Sequence, residues 1–121
     1  HICGHTRDRW EEVIGTGVSG FWVDNCESLR ELKECYGDRV SISGNVPPVD
    51  VLKNGTFEEI DQAIKQCIME AGDNPKGYNL CPGCTTPVDT TKENMIAFMN
   101  AAAKYGRGAR KGCMPRGITE L

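Results

Sequence analysis

Residues suited to soft metals stand at two places in the chain. His1-Ile2-Cys3-Gly4 puts an imidazole and a thiol two positions apart, and in an extended strand side chains i and i+2 share a face. Cys81-Pro82-Gly83-Cys84 supplies a second pair of thiols. Two thiolates and one imidazole brought together make a donor set that suits zinc. Three protein ligands would leave a fourth position for water or substrate, the arrangement of a catalytic rather than a structural site. His5 is a further candidate ligand, although it follows Gly4 and begins a loop.

Other readings compete for the same residues. A strand histidine is often a hydrogen-bonded core residue, and free cysteine is among the most buried residue types. A Cys-x-x-Cys pair can also be a redox couple. Such couples sit at a helix N-terminus in a thioredoxin-like unit, whereas here the Pro-Gly insert and the following Thr85-Thr86-Pro87 make a loop.

The composition narrows the compartment. The 121 residues are 39% hydrophobic and 26% charged, which excludes disorder and a collagen-like chain. A net charge of −3 argues against a general nucleic-acid binder. No apolar run approaches the roughly 20 residues that cross a bilayer, and the first residues do not have the form of a signal peptide. Seven cysteines, an odd count without a secretory signal, favour thiols kept reduced or bound to metal over a disulfide framework, and the expected location is cytoplasmic.

The elements that must position the thiols recur as one unit. Apolar runs at 1–3, 20–24, 39–43 and 77–81 read as buried strands, and a helical pattern follows each. Trp10, Val13, Ile14 and Gly17 keep three-to-four spacing. Ser28-Leu29-Arg30-Glu31 is a capping box leading into Leu29, Leu32 and Tyr36, with Gly37 as the stop. Thr56-Phe57-Glu58-Glu59 is another, opening a stripe of Ile60, Ala63, Ile64, Cys67, Ile68 and Ala71 that ends at Gly72. The fourth helix opens at Thr90-Thr91-Lys92-Glu93 and carries Ile96, Met99, Ala102 and Ala103 toward Gly106. Residues 107–121 are Gly-rich, basic and patternless, and read as a flexible C-terminal tail.

Short buried strands alternating with amphipathic helices mean βαβ units with a parallel sheet and right-handed crossovers. The fold class is therefore α/β, with four parallel βα units over residues 1–106. Four units are about half of a (β/α)8 barrel of about 250 residues. Four strands alone would leave two raw sheet edges, so a missing N-terminal half or a second copy of the chain is expected. The chain opens on His1 rather than Met, inside what reads as a strand end, which points the same way. Both thiol-bearing segments fall at C-terminal strand ends, the rim where barrel active sites gather. Asp24 and Asn25 end the second strand and Gly44 and Asn45 the third, so Asp24 and Asn45 are candidate catalytic residues, with capping and turn roles as the alternative. Trp22 and Tyr78 read as core, Cys26, Cys35 and Cys67 as packing on or near helix faces, and Cys113 carries no signal.

Several runs, in this order, resemble the uroporphyrinogen decarboxylase superfamily: His1-Ile2-Cys3-Gly4, Gly44-Asn45-Val46-Pro47-Pro48, Asn54-Gly55-Thr56-Phe57-Glu58-Glu59-Ile60, and Pro82-Gly83-Cys84 followed by Pro87 and Glu93-Asn94. Within it, the chain is most similar to the zinc-dependent corrinoid methyltransferases, over about residues 1–106. The resemblance implies the C-terminal half of a (β/α)8 barrel, with zinc on His1, Cys3 and Cys84. It implies methyl transfer between a methylated corrinoid protein and a small-molecule thiol such as coenzyme M, without nucleic-acid or membrane partners. In the decarboxylases of the superfamily, a Gly-His-Gly run stands where this chain has Gly83-Cys84-Thr85, and the His-x-Cys pair is absent. Cys81 has no counterpart in the pattern and reads as a buried strand residue. Two alternatives remain at this level: a metal-free tetrapyrrole decarboxylase, which would need basic groups that this segment's rim mostly lacks, and a non-catalytic half-barrel that self-associates.

Overall fold

The computed structural model describes residues 1–121. Strands β1 (Gly20–Trp22), β2 (Ser41–Val46) and β3 (Tyr78–Pro82) form a parallel sheet in that order, with Gly20 opposite Ser41 and Ile42 opposite Tyr78. Phe21 and Ile42 are buried, so one face of the sheet lies under helices. Ser41 and Ser43, two apart, belong to the other face and are half-buried.

The sheet has three strands, not the four expected. Residues 1–3 contribute one parallel bridge, between Ile2 and Val23. The neighbours of Ile2 are engaged elsewhere: the His1 ring turns onto Trp22, where Nδ1–H donates to the Trp22 carbonyl at 2.9 Å, and Gly4 bends the chain away at φ +79°. That φ is one a residue with a Cβ rarely adopts.

Helices α1 (Trp10–Gly15), α2 (Leu29–Tyr36), α3 (Phe57–Ala71) and α4 (Lys92–Tyr105) follow the four runs in the expected order. The Ser28 hydroxyl accepts the Glu31 N–H at 3.2 Å, but the Glu31 carboxylate pairs with Arg7, so this capping box is half made. The box of α3 is complete: Thr56 Oγ1 accepts the Glu59 N–H at 3.1 Å, and the Glu59 carboxylate accepts the Thr56 N–H at 3.4 Å. Ile60, Ile64, Cys67, Ile68 and Ala71 of its stripe are buried, and the Gly72 N–H closes the helix on the Ile68 carbonyl.

In α4 the buried face is not the expected one. Ile96 and Met99 are exposed, while Asn94, Phe98, Ala101 and Tyr105 are buried. Apolar residues surround this helix, so spacing alone admits either face, and polar anchors at the two ends decide. The Asn94 amide donates to the Leu52 carbonyl at 2.9 Å, and the Tyr105 hydroxyl donates to Asp61 at 2.5 Å.

Residues 107–121 hold a helical turn, α5 (Arg116–Thr119), with Pro115 and Gly117 buried. The Gly117 N–H donates to the Arg107 carbonyl at 3.0 Å, and Arg107 pairs with Glu120 at 3.1 Å. This segment, patternless in sequence, folds back on the end of α4. No helix is long and apolar enough to cross a membrane.

Candidate metal centre

The C-terminal ends of β1 and β3 bring the two thiol segments together. Hydrogen bonding fixes the start of the chain against β1. Asp24, two residues past Trp22, accepts the Gly4 N–H on Oδ2 at 3.0 Å and the Cys26 N–H on Oδ1 at 3.1 Å. The Gly4 bond holds the Asp24 carboxyl below the usual carboxylate range. Trp22 packs its indole on the His1 ring at 3.8 Å between centroids and donates its Nε1–H to the Pro82 carbonyl at 2.8 Å. One tryptophan thus ties the end of β3, just before the Cys84 loop, to the strand that holds His1.

Gly83 lets that loop approach. Its N–H donates to the Val46 carbonyl at 2.8 Å, and a Cβ there would lie 2.4 Å from the Asn25 nitrogen. Only a residue without a side chain passes so close to the backbone after β1.

The result is a cluster of His1, Cys3 and Cys84, with their ligand atoms all within 4.8 Å of one another. His1 Nε2 lies 3.3 Å from Cys3 Sγ, which lies 3.2 Å from Cys84 Sγ. A carbonyl can only accept, so the bond to Trp22 puts the imidazole proton on Nδ1 and leaves the Nε2 lone pair toward the sulfurs. The Cys3 thiol and the Thr85 N–H lower the pKa of Cys84, while the Cys84 neighbour raises that of Cys3. One thiolate therefore forms first and resists formation of the second.

The donor chemistry fits zinc. Zinc with bonds of about 2.3 Å to sulfur and about 2.0–2.1 Å to nitrogen has tetrahedral edges of about 3.8 Å (S···S) and about 3.6 Å (S···N). The separations found are shorter by about 0.3–0.6 Å, a gap that small χ1 rotations of side chains at the surface can open. Three ligands leave one position free.

The remaining predicted residues lie nearby. Asn45 is buried and spends its amide hydrogens on the Asp24 carbonyl at 3.0 Å and the Glu27 carbonyl at 2.7 Å. Cys81 is half-buried, its thiol pushed up to about 11 by burial, and the sulfur that meets Cys84 is that of Cys3. His5 is displaced from the cluster and faces Glu27. Trp22, read in the sequence as core, is a site residue. The available signal was its position two residues before Asp24 on a strand, which puts both on one face at the rim. Cys26 and Cys35, expected to pack on or near helix faces, are exposed.

Comparison with known proteins covers most of the chain. The model of the uroporphyrinogen decarboxylase (URO-D) family matches residues 1–105. Methylcobamide:CoM methyltransferase MtbA of Methanosarcina acetivorans is 31% identical over 105 residues, covering 87% of this chain and 29% of that protein. Human uroporphyrinogen decarboxylase is 29% identical over 101 residues, covering 84% and 26% respectively. A solved methyltransferase from Methanosarcina mazei superposes with a TM-score of 0.75 at 27% identity, covering 87% of this chain and 30% of its own. The chain spans less than a third of the length of these relatives.

Proposed function

The chain belongs to the uroporphyrinogen decarboxylase family, and on that premise we propose that it is part of a zinc-dependent methyltransferase acting between a methylated corrinoid protein and a small thiol such as coenzyme M. The observation that carries this reading is the His1, Cys3 and Cys84 cluster, whose donor atoms lie within 4.8 Å of one another. In this reading the segment forms the C-terminal part of a (β/α)8 barrel, with His1, Cys3 and Cys84 on its rim and the remainder of the barrel completing the substrate pocket. The cytoplasm, where thiols stay reduced, is the compartment that suits it.

Zinc held there would act as a Lewis acid that keeps the substrate thiol, with an ordinary pKa of about 8.5, in its thiolate form at neutral pH. The chain's own residues do the rest. His1 presents Nε2 because Trp22 holds its Nδ1–H, and the indole stacked on the imidazole keeps water from one face of that ligand. Asp24 positions Cys3 through the Gly4 N–H, and Asn45 positions Asp24 through its backbone carbonyl. Neither needs to touch substrate. The methyl group would pass from cobalt to that sulfur, the electron pair of the carbon–cobalt bond remaining with the corrinoid and the thiol proton going to solvent.

The test is methyl transfer from methylcobalamin to coenzyme M by the full-length protein and its Cys84→Ala variant. Activity lost on substitution and on chelation is expected. Turnover of uroporphyrinogen that survives a chelator, with no methyl transfer, would assign the protein to the decarboxylases.

A further inference from the structure

A second group of metal-binding side chains lies beside the first and shares no residue with it. His5, Cys26 and Glu27 bring Nδ1, Sγ and a carboxylate oxygen within 4.8 Å of one another. Glu27 Oε1 is the hub, 3.4 Å from His5 Nδ1 and 3.7 Å from Cys26 Sγ. The Glu27 side chain is only 4% exposed.

A carboxylate buried to that extent ordinarily faces a fixed cation or a set of donors. Here its side-chain partners are a thiol and an imidazole, neither of which carries a permanent positive charge. Arg7, on the same cavity wall, is engaged by Glu31. The Glu27 backbone is rigidly placed, its carbonyl held by Asn45 and its N–H by the Asp24 carbonyl. The carboxylate is therefore fixed in place and short of a cation. The cavity, about 730 Å³ and lined also by Asp8 and Ser28, leaves room for water to complete a coordination shell.

We propose that His5, Cys26 and Glu27 form a second divalent-cation site, taking zinc through one nitrogen, one sulfur and one oxygen with water in the remaining position. Each donor type is one that zinc accepts. One thiolate in place of two makes this set weaker and harder than that of His1, Cys3 and Cys84, so it fills second. The proposal does not depend on the methyl-transfer reading.

Cobalt(II) tests it, because a thiolate ligand gives a charge-transfer band that counts sulfur on the metal. The protein is stripped with chelator and titrated with Co²⁺. Two equivalents bind, the first with about twice the charge-transfer absorption of the second. Cys3→Ala/Cys84→Ala keeps one equivalent with a single-thiolate band. His5→Ala, at a side chain 86% exposed and so without effect on folding, weakens the second equivalent by at least about tenfold and leaves the first intact. A single equivalent that His5→Ala does not alter, or no binding in folded Cys3→Ala/Cys84→Ala, overturns the second site. Failure of the first site reads out separately, as two-thiolate absorption that is absent from the parent protein.

Discussion

The sulfurs of Cys3 and Cys84, 81 positions apart in sequence, lie 3.2 Å from each other. Neither segment does this alone. Gly4 turns the chain after Cys3, Asp24 holds the Gly4 N–H, Trp22 bonds the Pro82 carbonyl, and Gly83 slips past the backbone at Asn25. Each link is a local hydrogen bond or close approach, and together they set the donor geometry before any metal arrives.

The two thiols differ in acidity. Cys84 is lowered by the donors around it and Cys3 raised by its neighbour, so at neutral pH more of the Cys84 sulfur is thiolate. In chelator-treated protein, iodoacetamide is expected to alkylate Cys84 before Cys3. Peptide mapping of partially labelled protein gives the order, and equal labelling would show that the pair is not coupled.

Asp24 gives a pH signature. Its carboxyl titrates below the usual value because the Gly4 N–H bonds the ionised form. A carboxyl depressed in the folded state stabilises the fold above its unfolded pKa of about 3.9, and that contribution disappears as pH falls through the folded value. Asp24→Asn is expected to flatten the loss of stability as pH falls below the ordinary carboxylate range. It should also weaken zinc binding by about 10–100-fold through release of the Gly4 turn. Urea denaturation at several pH values and a zinc-competition titration read the two effects.

Asn45 is buried under the site and bridges two backbone carbonyls. Asn45→Ala leaves both without that donor and is expected to cost about 1–3 kcal/mol of stability. Under conditions where the variant is folded, its zinc affinity should change less than that of Asp24→Asn. A variant as stable as the parent but without methyl transfer would instead place Asn45 at the substrate.

At Gly83, an added Cβ meets the Asn25 nitrogen at 2.4 Å. Gly83→Ala therefore has to move the Cys84 loop. The expected result is a folded protein whose zinc affinity falls by at least about tenfold, whereas Gly15→Ala, where a Cβ meets nothing within 4 Å, leaves it unchanged.

Much of this arrangement was legible in the residues. The capping box at Thr56 and Glu59, the stripe from Ile60 to Ala71 and the stop at Gly72 obey local rules that hold whatever lies around them. The His-x-Cys spacing and the Pro-Gly-Cys loop likewise point to the ends of strands, and the structure brings these two segments together. What was illegible depends on contacts distant in sequence. The buried face of α4 is chosen by Asn94 reaching the carbonyls near Leu52 and by Tyr105 reaching Asp61, and apolar spacing records neither bond. The strand at residues 1–3 is a single bridge because His1 engages Trp22 through its side chain. Trp22 read as core because an aromatic in a short apolar strand is usually that; only the fold shows its ring on His1.

Zinc on His1, Cys3 and Cys84 underlies the proposed methyl transfer. Elemental analysis of zinc in the full-length protein beside its Cys84→Ala variant, at equal folded concentration, decides whether the metal is there. The variant is expected to hold one zinc per chain fewer than the parent. Equal zinc in the two, or none in the parent after purification without chelator, would contradict it.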